Sequence, residues 1–210
     1  MIFALIPVKE LSQAKARLAP ALDKAARREL TLAMYRDVLA AALACDAIDG
    51  VVVVSRDEDV LAIAREAGAE GMPEPGTLNG ALTSAAAKLR ERGATRVVVL
   101  DADVPLASAA AIAAVAQADA HVVVAPSNDG GTNALALVPE AIEFAYGPDS
   151  ARRHLDAAQR AGLQTLRLDL PALALDVDTP ADLEQLRAAA QQAGVHTRAV
   201  LARAALSPRS

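Results

Sequence analysis

Four consecutive valines at positions 51–54 run into a polar turn, Ser55-Arg56-Asp57, and then into a stretch with helical spacing. Successive side chains of a strand point to opposite faces, so an unbroken apolar run requires cover on both sides of a sheet. The runs at 2–8, 96–100 and 121–125 carry the same signature, and each is separated from the next by a helical pattern. Alternation of this kind predicts an α/β fold, a mostly parallel sheet flanked by helices. The spacing predicts strands over 2–8, 51–54, 96–100, 121–125, 133–138 and 164–168. Helices are predicted over 22–45, 57–67, 79–92, 108–117, 150–161 and 181–192, with Asp23 placed to cap the first and Gly68 and Gly93 to stop the second and third. In such sheets the ligand sits beyond the carboxyl ends of the strands, so the loops there are where chemistry is expected.

Hydrophobic residues make up 53% of the 210, but aromatics only 2%, so the core is expected to be built from Ala, Val and Leu. The net charge of -5 argues against nucleic acid as a partner, because a basic face is needed to displace counterions. No apolar run approaches the roughly 20 residues of a membrane span, and the apolar start lacks the basic lead of a signal peptide. A cytoplasmic protein is expected. The single cysteine, Cys45, cannot form an internal disulfide and reads as a small hydrophobe on a helix.

Three cations, Lys9, Lys15 and Arg17, follow the first strand of an otherwise acidic chain. At a strand end facing a cleft they suit a polyphosphate; a solvated basic loop explains them equally well. The glycines and Gly-Lys-Ser/Thr ending of a Walker loop are missing. Asp101 and Asp103 end the central valine strand, and crowded carboxylates there call for a cation, Mg²⁺ being the natural one for oxygen ligands. Asp176 and Asp178 repeat the pattern, although Asp178-Thr179-Pro180 is also a good helix start. Asp129-Gly130-Gly131-Thr132-Asn133 offers backbone N–H groups, a hydroxyl and an amide to an anion, or is a plain tight turn. Gly147-Pro148-Asp149-Ser150 opens a helix bearing Arg152 and Arg153, and either binds an anion or merely caps. Thr77-Leu78-Asn79-Gly80 has the same ambiguity. Of the three histidines, His121 reads as structural, while His154 lies one turn into the anion-site helix, at the surface or touching substrate.

Taken in order, Pro7-Val8-Lys9 with Ala14-Lys15-Ala16-Arg17-Leu18, Leu78-Asn79-Gly80-Ala81-Leu82, Asp101-Ala102-Asp103-Val104-Pro105-Leu106, Gly130-Gly131-Thr132-Asn133-Ala134-Leu135, Gly147 with Ser150, and Leu175-Asp176-Val177-Asp178-Thr179-Pro180 resemble the CofC/FbiD guanylyltransferases of deazaflavin coenzyme F-420 biosynthesis. Each motif is weak alone; their order over residues 2–190 is specific. The resemblance implies a nucleotide-diphospho-sugar transferase-like fold, with a nucleotidyltransferase domain over 1–194 and a tail over 195–210. It implies Mg²⁺-dependent transfer of GMP from GTP to 2-phospholactate, phosphoenolpyruvate or 3-phosphoglycerate, with release of pyrophosphate. By the same resemblance Thr132, Gly147 and Ser150 hold the acid, and Asp101, Asp103, Asp176 and Asp178 hold the metal. Lys9, Lys15 and Arg17 serve catalysis by contacting the triphosphate, with Asn79 and Gly80 also on the nucleotide. A homodimer and handover to the downstream deazaflavin transferase are implied as well. One departure stands out, because superfamily relatives carry a Gly-Gly loop where this chain has Pro7-Val8-Lys9. The alternatives are another nucleotidyltransferase of the same fold, making a cytidylyl sugar alcohol or a molybdopterin guanine dinucleotide, and a nucleotide-binding module without turnover.

Overall fold

In a computed structural model, which describes residues 1–11, 15–73 and 76–206, seven strands form one sheet. They are β1 (Ile2–Val8), β2 (Gly50–Ser55), β3 (Glu70–Pro73), β4 (Arg96–Leu100), β5 (Val122–Pro126), β6 (Thr132–Leu137) and β7 (Thr165–Arg167). Their order across the sheet is β3-β2-β1-β4-β6-β5-β7. Every pairing is parallel except those of β6, which runs antiparallel to β4 and β5. The helices are α1 (Lys24–Leu43), α2 (Glu58–Glu66), α3 (Leu78–Glu91), α4 (Ala109–Ala116), α5 (Ser150–Arg160), α6 (Pro171–Ala174), α7 (Pro180–Ala188) and α8 (Val195–Leu206).

The valine runs do what their pattern demands. Val51 and Val53, with Ala4 and Ile6 of β1, pack under α1, α2 and α4 against Tyr35, Val38, Leu61 and Ile112. Val52 and Val54, with Phe3 and Leu5, face the other way and meet Leu82, Ala85 and Leu89 of α3 and Ala158 of α5. Alanine on the helices lets backbones approach the sheet closely, which suits a core nearly without aromatics. A third cluster, Leu18, Leu30, Met34, Leu175, Val177, Leu183 and Leu186, ties the β1 loop to the segment before α7.

Helix starts are set locally. Asp23 accepts from the Ala26 N–H, Ser108 from that of Ala111, and Thr179 forms a capping box with Asp182, with Pro180 in the first turn. Thr179 is therefore the cap of α7, which leaves the Asp178 side chain unused by the helix. The C-terminal segment forms α8 against α1. There the buried Asp37 accepts from the N–H groups of His196 (3.0 Å) and Thr197 (2.8 Å), and a Cβ on Gly194 would lie 2.2 Å from Asp37 Cγ. Only glycine allows that approach. Residues 12–14 of the first loop and 207–210 of the tail lie outside the described residues. Among those described, no helix is long and apolar enough to cross a membrane.

Candidate active site

The carboxyl ends of β1 and β4 lie side by side, and because β6 is antiparallel its amino end arrives at the same edge. The Asp101 N–H donates to the Asn133 carbonyl at 2.9 Å, so the first carboxylate pair and the Thr132-Asn133 step are neighbours. The second pair is brought in from the far side. The Val177 N–H donates to the Asp103 carbonyl (3.2 Å), and Asn133 Nδ2 donates to the Leu173 carbonyl (2.8 Å) and, more weakly, to Asp176 (3.4 Å). Asp101, Asp103, Asp176 and Asp178 thus meet in three dimensions.

Crowding has electrostatic consequences. Desolvation pushes the Asp101 carboxyl well above the usual carboxylate range; the charges of Asp103 and Asp176 add to this, while Lys15 and Lys9 oppose it. Burial, and then the charge of Asp103, push Asp176 up to about 6. The relief present is Lys15, whose Nζ is bonded to Asp103 and lies 2.7 Å from Asp178, with only 7% of its side chain exposed. Burial works to lower the Lys15 pKa, but Asp103 and Asp178 outweigh it, and the net displacement is upward. Lys15 is also held at φ 55°, the left-handed region that a non-glycine residue rarely adopts. This lysine is built into the carboxylate cluster rather than standing free in a loop.

Arg17, Asn128, Asp129, Leu175, Asp176, Asp178, Thr179 and Asp182 line a polar cleft of about 110 Å³. Its turn is held by Asp129, which accepts from the Ser127 hydroxyl and the Gly131 N–H (3.1 Å). A Cβ on Gly131 would meet Ser127 Oγ at 2.7 Å, so any side chain there would push that hydroxyl off Asp129. Among the described residues, no three or more His, Cys, Asp or Glu ligands close on a common point. That is compatible with Mg²⁺, which takes one or two carboxylates and completes its shell with phosphate and water. Carboxyls driven up by burial and then by one another's charge, with Lys15 bonded to two of the cluster, fit a site that gains from a divalent cation.

Beside the carboxylates lies a buried hydroxyl pair. Ser150 Oγ is 2.9 Å from Thr132 Oγ1, and Thr132 Oγ1 is 3.1 Å from His154 Nδ1. Ser150 makes no cap bond. The N-cap of α5 is Asp149, in the left-handed region without a side-chain cap bond, and the Ser150 N–H donates to the Gly147 carbonyl (3.2 Å). His154, fully buried, corrects the expectation of a surface histidine. Its place could have been read from the i, i+4 spacing to Ser150, which puts the two on one helix face. Asn79 and Gly80 are already committed within the protein. The Asn79 amide donates to the Tyr146 carbonyl (3.3 Å) and accepts from its N–H (2.9 Å), and the Gly80 N–H donates to the Thr77 cap (3.2 Å). Asn79 therefore fastens the loop preceding Gly147 to α3.

Fold and site together define a nucleotidyltransferase. A Desulfovibrio desulfuricans G20 protein assigned to the nucleotide-diphospho-sugar transferases superposes with a TM-score of 0.79 at 18% identity, covering 96% of this chain and 97% of that one. A nucleotidyl transferase from Methanothermobacter gives 0.63 at 16% identity, covering 90% and 97%. These likenesses establish the fold. The family model described as "Guanylyl transferase CofC like" matches residues 2–206, and the chain belongs to that family. A phosphoenolpyruvate guanylyltransferase from Conexibacter woesei is 39% identical, over 95% of this chain and 94% of its own. One from Rubrobacter xylanophilus is 42% identical, over 89% and 94%.

Proposed function

We propose that the chain transfers GMP from GTP to the phosphate of a phosphorylated three-carbon acid, with phosphoenolpyruvate the foremost candidate. The observation that carries this reading is the junction of two unlike sites at one sheet edge. A carboxylate cluster with basic residues around it adjoins a buried Thr132–Ser150 hydroxyl pair at the start of a helix. The first suits a metal-bound triphosphate and the second a small anionic acid. The relatives' names favour phosphoenolpyruvate over 3-phosphoglycerate or 2-phospholactate.

In the reaction, an oxygen of the acid's phosphate bonds to the α-phosphorus of GTP and the bond from that phosphorus to the bridging α–β oxygen breaks, so that pyrophosphate leaves. A phosphate monoester is largely dianionic at neutral pH, its second pKa being about 6, so no general base is needed. That agrees with a site whose buried histidine faces a hydroxyl and a backbone N–H. The difficulty is the approach of two polyanions, which is a matter of positioning and of charge placed in advance. Lys15, fixed between Asp103 and Asp178, keeps a positive charge at the cluster, and Lys9 and Arg17 extend it toward the departing pyrophosphate. Thr132, Gly147 and Ser150 orient the acid. Nucleotidyltransferases of this fold generally use a divalent metal. Here we assign Mg²⁺ to one or two carboxylates at a time of the set Asp101, Asp103, Asp176 and Asp178, where it would neutralise phosphate charge. The product joins two phosphates by an anhydride and is labile, which favours direct handover to the next, deazaflavin-linked transferase in the cytoplasm. A homodimer is part of the same reading.

The test is pyrophosphate release from GTP and Mg²⁺ with each of the three acids, and with ATP, CTP or UTP in place of GTP. Release that requires GTP and one of the acids is expected. Release independent of any acid, or faster with CTP, would overturn the proposal.

A further inference from the structure

Two hydroxyls and an imidazole share three hydrogens among few acceptors, and counting them assigns His154 a task. The Ala145 N–H donates to His154 Nε2 at 2.9 Å, so that nitrogen carries a lone pair. The ring is fully buried, with Tyr146 packed edge-on at 5.1 Å between centroids. Burial, and then the charge of Arg153, push its pKa down to about 4, so it is neutral under ordinary conditions. A neutral ring bare at Nε2 holds its proton on Nδ1, which therefore donates across 3.1 Å to Thr132 Oγ1. Thr132 and Ser150 use one hydrogen between themselves at 2.9 Å. Whichever of the two donates, one hydroxyl hydrogen is left over, in a pair whose residues are 2% and 1% exposed.

The opposite tautomer would reverse this. With the proton on Nε2, Nδ1 would accept from Thr132, Ser150 would donate to Thr132, and no hydrogen would remain. It would also set Nε2–H against the Ala145 N–H. We propose that His154 is a positioning residue which, by holding its proton on Nδ1, leaves the Thr132–Ser150 pair one O–H to donate to an anionic oxygen of the acid substrate. This rests on the reading that Thr132 and Ser150 hold the acid.

Two variants divide the imidazole's two bonds. His154→Asn places an amide where Nδ1 lies and keeps a donor for Thr132 while losing the acceptor for Ala145. His154→Gln reaches the Nε2 position, keeps the acceptor for Ala145 and removes the donor, so that the spare hydrogen of the pair is no longer aimed and the Thr132 hydroxyl can turn it into the vacated Nδ1 position. Initial rates are measured with GTP, Mg²⁺ and phosphoenolpyruvate. His154→Gln is expected to raise KM for the acid about tenfold with KM for GTP unchanged, and His154→Asn to stay within about twofold for both. Equal effects of the two variants, or none, would overturn the inference. Ser150→Ala is the control for the underlying reading. If it leaves KM for the acid unchanged, the acid site is wrong; if it raises that KM while His154→Gln does not, only the tautomer argument fails. Should either histidine variant fail to fold, ¹⁵N-histidine NMR of the unaltered protein decides. A bare Nε2 and protonated Nδ1 on His154 are expected, and a protonated Nε2 would refute the assignment.

Discussion

Lys15→Met removes the charge that the carboxylate cluster leans on while keeping most of the aliphatic stem. Lys15 Nζ is bonded to Asp103 and lies 2.7 Å from Asp178, across sequence separations of 88 and 163 residues. A charge-assisted hydrogen bond contributes about 1.5–3 kcal/mol when well shielded. Here the carboxylate side chains are 28% and 46% exposed, so solvent screening reduces both, the second more. A loss of about 2 kcal/mol is expected, roughly 4–8 °C in Tm for a domain of this size. The assay is urea unfolding with EDTA at pH 7.5, on the parent, Lys15→Met, Asp178→Asn and the double variant. The cycle should return a coupling of about 1 kcal/mol for the better-exposed bond. Repeating it with Mg²⁺ adds a second arm, because a cation bound by the same carboxylates stabilises the folded state by mass action. Mg²⁺ should therefore stabilise Lys15→Met more than the parent. If Lys15→Met lost less than about 0.5 kcal/mol in EDTA, Lys15 would not be the counter-ion. Were the loss seen but Mg²⁺ without differential effect, the cluster would not be the metal site.

Asp103→Asn is expected to abolish most turnover while leaving near-native circular dichroism; activity within a few-fold of the parent would remove Asp103 from the metal assignment. Ser150→Ala should raise KM for the acid about tenfold, the loss of one hydrogen bond to an anion. Its stability should fall by only about 1 kcal/mol, as read by thermal unfolding, because Ser150 does not cap α5. His154 predicts an acid sensitivity. Its folded pKa of about 4 lies below the unfolded value of 6.5, so the unfolded chain takes up the proton first and stability falls as pH drops through that window. Arg153 is the charge acting on it and Tyr146 the ring against it. Between pH 7 and 4.5 the parent should lose about 2–3 kcal/mol more than His154→Asn in urea unfolding, a variant-minus-parent difference that cancels the carboxylates, whose raised pKa values act in the opposite sense.

The sheet was legible because each interior strand is apolar on both faces, a pattern no surface element needs. β3 escaped because Glu70–Pro73 is an edge strand with only Met72 buried, so its sequence carries no run. The tail after Gly194 reads as weakly helical and forms α8; what the sequence hides is its anchor, Asp37, 159 residues away from His196. Around the site the residue types were readable and their pairings were not. Asp101, Asp103, Asp176 and Asp178 stand out as strand-end carboxylates, but nothing local shows that Lys15 is bonded to two of them. Asn79 is expected on the nucleotide, yet both backbone groups of Tyr146 occupy its amide. The cap of α7 is a further case, where Thr179-x-x-Asp182 forms a capping box. The sequence alone leaves the cap open between Asp178 and Thr179; the reciprocal bonds of Thr179 and Asp182 settle it and release Asp178 to the cluster.

What joins the two half-sites is the reversal of a single strand. Had β6 continued the parallel pattern, its amino end would lie at the opposite edge of the sheet, far from Asp101. Running antiparallel, it delivers Thr132 and Asn133 to the carboxyl end of β4, and a β-bulge opposite Ala125 and Pro126 takes them out of the alternation that puts Ala134 and Ala136 on one face and Leu135 and Leu137 on the other. Thr132 accordingly meets Ser150 and His154 of α5, on the face covered by α3 and α5. Asn133 meets Leu173 of α6 and Asp176, on the face covered by α1, α2 and α4. The bulge thus turns the hydroxyl pair and the carboxylates to opposite sides of one strand while holding both at its tip. Under the proposed function, an acid held on one side and a triphosphate on the other would meet across two adjacent residues of this strand. Ser127, Asp129 and Gly131 fix the register of that strand by closing the turn before it, which is why a loop without a catalytic side chain of its own matters to the chemistry.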